Sequence, residues 1–280
     1  VTIERDVVTM ASVSGRMLED GYAYLRIRTF QERTFDDMSE VLRELHAESL
    51  GGFRGLVLDL RDNPGGLLDQ AVEVADEWVS EGLLVYTRGR IGDHVKEFHA
   101  HGLGTEPNYP IAVLVNEGSA SASEIVAGAL QDHGRALVVG RQTFGKGSVQ
   151  TIYPLAGGSG LRLTTALYYT PGGRSIQEVG ISPDIEIDAE PLFANAGNTQ
   201  QRRVREADLD GHLTHEEADP ESAENDAESE EEIPLDLQLD RALEVLKSWT
   251  YFQRLGAKEP AESVQVDVGG VVEAPATAAP

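Results

Sequence analysis

Apolar positions along the chain fall into two registers. The run from 111 to 115 is unbroken, and 55–60 is interrupted only by Asp59. Short apolar runs without polar alternation read as strands covered on both faces. The stretch 21–27 alternates and reads as a strand with one buried face. Between these runs the spacing changes. Met38, Val41, Leu42 and Leu45 form a stripe at helical period, so a helix is expected over 34–50, with Thr34 as N-cap and Asp36 and Asp37 in its first turn. Helices are also expected over 67–79, over about 121–132 (Ile125, Val126, Ala129 and Leu130 on one face), and over 235–246 continuing into Trp249, Tyr251 and Phe252. Two hairpins are expected: 83–88 with 94–99 around Gly92-Asp93, and 151–155 with 161–169 around the 157–160 turn. Further strands are expected at 135–140 and near Ile185. Strands and helices alternate, which makes the chain α/β.

Two breaks in this pattern carry candidate chemistry. Strand 55–60 ends in Arg61-Asp62-Asn63-Pro64-Gly65-Gly66, a tight turn whose backbone is free to approach a ligand. Strand, glycine turn and helix also describe an anion loop, but neither GxGxxG nor GxxxxGK[ST] is present. Asp59, Arg61 and Asp62 fit a structural ion pair that shapes the turn. Strand 111–115 ends in Asn116-Glu117-Gly118-Ser119-Ala120-Ser121-Ala122-Ser123-Glu124, a serine-rich turn that opens a helix. Hydroxyls there sit beside unpaired N–H groups and the positive end of the helix dipole, a place suited to a developing oxyanion. Phe144-Gly145-Lys146-Gly147 follows one strand later. A lysine can serve a serine as base if burial lowers its pKa, and on an extended strand Lys146, Ser148 and Gln150 share a face. The plainer readings stand beside these: Ser121-x-x-Glu124 is also a capping box, and Gly-Lys-Gly is often only a turn.

Composition narrows the field. The 280 residues hold 23 Lys+Arg against 48 Asp+Glu, a formal charge of -25, which argues against nucleic acid and anionic membrane surfaces. Much of the excess falls in 216–232, expected to be a solvated linker. Asp208 and Asp210 only faintly suggest a calcium loop. With no cysteine, disulfides, thiolate metal sites and a cysteine nucleophile are excluded. His94, His99 and His101 lack the further ligands zinc needs, and no metal or organic cofactor is expected.

Four segments in order resemble the carboxyl-terminal processing peptidases (tail-specific proteases, peptidase family S41): Asp59 to Gly66, Gly118 to Ile125 with Ala127 to Leu130, Phe144 to Gly147, and Tyr169 to Gln177. The resemblance covers about residues 1–190. It implies a crotonase/ClpP-like core of mixed sheet and helices, and a serine endopeptidase with a Ser-Lys dyad that cleaves unstructured C-terminal tails through an acyl-enzyme. By alignment the nucleophile falls on Ser121, the base on Lys146 and its supporting glutamine on Gln150. The oxyanion donors fall on the backbone N–H of Ala122 and of Gly66, with Gly65 as second choice.

The resemblance also frames the domain plan: catalytic core 1–190, acidic linker 191–233, docking or dimerisation helix 234–256 and disordered tail 257–280. Thr2–Val8 resembles the exit from the PDZ domain that family members usually carry, a domain not expected within these 280 residues. Val1 is therefore expected to be a processing or expression boundary. Expected partners are unfolded C-terminal tails, a helical-repeat lipoprotein adaptor and a second copy through the C-terminal helix. The expected compartment is the periplasm, by resemblance to Gram-negative members. A latent peptide-binding module of the same fold is the alternative, and a crotonase-type acyl-CoA enzyme would need a basic nucleotide patch that this acidic chain does not show.

Overall fold

The computed structural model describes residues 11–49, 51–89, 95–188 and 236–256. The expectations for 1–8, the Gly92-Asp93 turn with His94, the Asp208–Asp210 loop, the acidic linker and the tail after 256 lie outside these residues.

The apolar runs become the centre of a six-stranded sheet ordered β1-β2-β3-β6-β7-β10. β1 (Val13–Glu19) and β2 (Tyr22–Ile27) form an antiparallel hairpin. From β2 onward β3 (Gly55–Asp59), β6 (Ile111–Val115), β7 (Leu137–Gly140) and β10 (Ile185–Glu186) pair in parallel. Every residue of β3 and β6 is buried, because helices cover both faces. On one face lie α1 (Thr34–Glu48), α2 (Leu68–Asp76) and α3 (Ala122–Asp132), closing a core of Leu25, Leu56, Leu58, Val113, Ile125 and their neighbours. On the other face α4 (Leu237–Gly256) lays Ala242 and Leu246 on Val57, Leu114 and Val139. The C-terminal helix thus docks on its own sheet, while Trp249, Tyr251 and Phe252 remain exposed.

A second sheet, ordered β5-β4-β9-β8, contains both expected hairpins: β4 (Leu83–Gly89) with β5 (Val95–His99), and β8 (Ser148–Pro154) with β9 (Gly160–Tyr169). β8 is an edge strand that begins two residues after Lys146.

One expected cap is corrected. Thr34 is the first helical residue of α1 and Arg33 is its N-cap, with no side-chain cap. The Thr34 hydroxyl faces back into the preceding turn instead, accepting from Gln31 N–H at 2.8 Å and donating to the Thr29 carbonyl at 3.2 Å.

The topology fixes where chemistry collects. β3, β6 and β7 are neighbouring parallel strands, so the loops leaving their C-terminal ends lie side by side. Those three loops carry Gly65-Gly66, Ser121 and Lys146.

Candidate active site

The turn after β3 is pinned from beneath by a residue the sequence did not single out. Asn63 is fully buried. Its Nδ2 donates to the Ile27 carbonyl at 2.8 Å and its Oδ1 accepts Gly65 N–H at 2.9 Å. Its carbonyl accepts Ala120 N–H and the Ser123 hydroxyl, both at 2.9 Å. The turn is thereby fastened to β2 on one side and to the serine turn on the other. Gly66 bridges Phe30, and a Cβ on it would fall 2.0 Å from the Phe30 carbonyl oxygen, so only glycine fits. Because Asn63 occupies Gly65 N–H, the Gly66 N–H is the one of the pair left without a partner among the described residues.

The serine turn sorts its three hydroxyls. Ser119 Oγ donates to the Leu60 carbonyl at 2.8 Å and accepts Asn116 N–H at 3.0 Å. Ser123 Oγ is held by Asn63, and both residues are fully buried. Ser121 differs. It is partly exposed, stands at the N-cap of α3, and has φ 56°, a left-handed conformation that non-glycine residues seldom adopt. Ser121 and Glu124 have the reciprocal layout of a capping box. Ser121 N–H donates to Glu124 Oε2 at 2.7 Å, and Glu124 N–H donates to the Ser121 carbonyl at 2.9 Å. The Ser121 hydroxyl, unlike those of Ser119 and Ser123, donates to no backbone carbonyl among the described residues. Ala122, first residue of α3, has an N–H with no partner among the described residues, as the geometry of a helix start requires. Gly65 lies against it: a Cβ there would sit 2.9 Å from Ala122 N and 2.8 Å from Ser121 Cβ.

Glu124 ties the serine turn to the lysine loop. Its fully buried carboxylate accepts Thr143 Oγ1 at 2.5 Å and Gly145 N–H at 2.7 Å on Oε1, and Ser121 N–H at 2.7 Å and Lys146 N–H at 3.0 Å on Oε2. Burial pushes this carboxyl up to about 7, while the four hydrogen bonds pull it down. The nitrogens of Ser121 and Lys146 share one acceptor oxygen, so they can be no farther apart than those two bonds allow. No hydrogen bond joins Ser121 Oγ to Lys146 Nζ, and among the described residues no carboxylate forms an ion pair with Lys146. Gln150 lies on β8, exposed, and makes no hydrogen bond to Lys146. The structure therefore brings the backbones of Gly65, Gly66, Ser121, Ala122 and Lys146 together through these two turns and the lysine loop, and Gln150 follows on β8.

Beneath the turn, Asp59 and Arg61 form the expected ion pair, at 2.7 Å. Arg61 also donates to both carboxylate oxygens of Asp236 at the start of α4, each at 2.7 Å. Of the candidate histidines among the described residues, His99 pairs with Glu97 and His101 with Asp76.

Comparison with known proteins shows the family. The profile of peptidase family S41 matches residues 21–187. The chain is 44% identical over 248 residues to a carboxy-terminal-processing protease of Bartonella bacilliformis, covering 88% of this chain and 56% of that protein. It is 37% identical over 208 residues to a carboxyl-terminal-processing protease of Synechocystis, covering 73% and 47%. Among solved structures, a photosystem II D1 C-terminal processing protease superposes with a TM-score of 0.58 at 38% identity, over 65% of this chain and 49% of that one. The chain spans about half the length of the curated relatives it matches.

Proposed function

The chain belongs to peptidase family S41, and from that membership we propose that it is a serine endopeptidase in which Ser121 is the nucleophile and Lys146 the general base. The observation that carries the reading is the sorting of the serines. Ser119 and Ser123 spend their hydroxyls on backbone carbonyls, whereas Ser121 does not and stands beside the partnerless N–H of Ala122. A neutral Lys146 amine takes the hydroxyl proton as Ser121 Oγ attacks the scissile carbonyl. The N–H groups of Ala122 and Gly66 receive the oxyanion. Lys146 then returns the proton to the leaving amine, and water, deprotonated by the same amine, releases the acyl group. Side-chain contacts tighten in substrate complexes, so the missing Ser121–Lys146 bond in the free protein is compatible with this role. Gln150 would orient the amine in the substrate complex.

For the substrate we propose unstructured polypeptide, above all C-terminal tails with apolar residues. The edge strand β8 supports this, because its free backbone groups lie next to the lysine loop and can pair with an extended chain whatever its sequence. A periplasmic setting, a helical-repeat lipoprotein adaptor and self-association through the exposed aromatic end of α4 complete the proposal. Its test is incubation with casein beside Ser121→Ala and Lys146→Ala, with fragments followed by mass spectrometry. Cleavage by the wild type alone supports the dyad. Persistent cleavage by Ser121→Ala sinks it, and binding without turnover by the wild type favours a latent peptide-binding module.

A further inference from the structure

The loop that carries Lys146 is held on two sides, and one holder has no counterpart in the mechanism above. Glu124 grips Gly145 N–H and Lys146 N–H. From the opposite side comes the turn after β9. Gln177, fully buried, accepts Gly147 N–H on its Oε1 at 3.1 Å. Its backbone presses on the loop, since a Cβ on Gly147 would lie 2.2 Å from Gln177 N. The next residue, Glu178, takes a left-handed φ of 65° and donates its N–H to the Gly145 carbonyl at 2.8 Å. The Gly147 carbonyl is taken by Tyr168 N–H at 2.6 Å. Consecutive N–H groups at 145, 146 and 147 are thus each fixed by a side-chain oxygen.

We propose that Gln177 is a positioning residue for Lys146, holding the backbone after the base through a neutral acceptor. The choice of an amide has a physical reason. Titratable residues bonded to this loop are Glu124 from α3, through its carboxylate, and Glu178 and Tyr168, through their backbone N–H groups. A further carboxylate at 177 would hold the loop equally well but would favour the ammonium form of the lysine. The amide oxygen supplies the same bond without charge, so the amine can be neutral when Ser121 needs a base. This inference rests on the Ser121–Lys146 reading.

The test pairs Gln177→Leu, which deletes the acceptor, with Gln177→Glu, which keeps it and adds charge. Two readouts are taken: amide exchange at Gly147 by NMR, which needs no turnover, and casein cleavage as a function of pH. In Gln177→Leu, Gly147 exchange should rise at least about tenfold while amides of α3 stay protected, and kcat should fall about 10- to 100-fold at little-changed KM. Gln177→Glu should keep Gly147 protected, recover most of kcat at alkaline pH, and move the acid limb of kcat/KM upward. Unchanged Gly147 exchange in Gln177→Leu overturns the inference, as does wild-type kcat once that amide is released. It also falls if both variants merely lose thermal stability and keep the wild-type pH profile. Cleavage retained by Ser121→Ala or Lys146→Ala in the same assay is a different failure, that of the dyad, and leaves the exchange result as the measure of Gln177.

Discussion

Replacing Gly65 by alanine puts the closeness of the glycine turn and the serine turn to a quantitative test. The new Cβ would stand 2.7 Å from the Ala120 carbonyl oxygen, 2.8 Å from Ser121 Cβ and 2.9 Å from Ala122 N. Ordinary contact begins at 3.4 Å, so the two turns must separate by roughly 0.5 to 0.7 Å, and the atoms displaced belong to Ser121, the proposed nucleophile, and Ala122, a proposed oxyanion donor. Misplacement by about 1 Å costs on the order of 100-fold in rate, so kcat/KM should fall about 30- to 100-fold, or about 2 to 3 kcal/mol of transition-state stabilisation. The φ of +95° adds about 1 to 2 kcal/mol of backbone strain. Gly52→Ala separates the two effects. Gly52 has φ +78° and nothing within 4 Å of its would-be Cβ, so that variant carries strain alone: stability falls by about 1 kcal/mol and the rate is unchanged. Steady-state casein hydrolysis with thermal unfolding of both variants reads the comparison. A Gly65→Ala enzyme within threefold of wild type, or a Gly52→Ala enzyme equally impaired, would refute the reasoning.

Three further outcomes are expected. Ser123→Ala removes a buried bond to the Asn63 carbonyl and should cost about 1 to 2 kcal/mol of stability by urea unfolding while proteolysis persists; abolished activity in a folded variant would move the nucleophile. Glu124 has its folded pKa raised to about 7, above an unfolded value of about 4.3. Its protonated form therefore favours folding, in full below pH about 4, and that contribution is lost as pH rises through about 7. Against the non-titrating Glu124→Gln, the wild type should lose relative stability across that window; the opposite slope would show that the four hydrogen bonds outweigh burial. Leu246→Ala, which uncovers the α4 side of the sheet, should cost about 2 to 5 kcal/mol, and an unchanged unfolding midpoint would show that α4 is not part of the core.

The central strands and both hairpins were legible because β3 and β6 are buried on both faces and so carry unbroken apolar runs. β1 was not read, since of Val13–Glu19 only Val13 is buried and an edge strand shows little alternation. At the site, the order of glycine turn, serine turn and lysine loop could be read along the chain, but what separates one serine from the next could not. Ser119, Ser121 and Ser123 have nearly the same neighbours in sequence. The acceptors that occupy two of them, the Leu60 and Asn63 carbonyls, lie about 60 residues away and meet them only when β3 pairs with β6. Glu124 looked like one half of a cap, and its grip on Gly145 and Lys146 depends on β7 bringing that loop alongside. Arg61 and Asp236, 175 residues apart, leave no local trace of their pairing.

The central claim is that Ser121 alone among the serines is activated, and the most direct measurement is covalent trapping with an alkyl fluorophosphonate followed by peptide mapping. The account predicts a single adduct on Ser121, absent in Lys146→Ala. An adduct on Ser119 or Ser123, or undiminished labelling of Lys146→Ala, would contradict it.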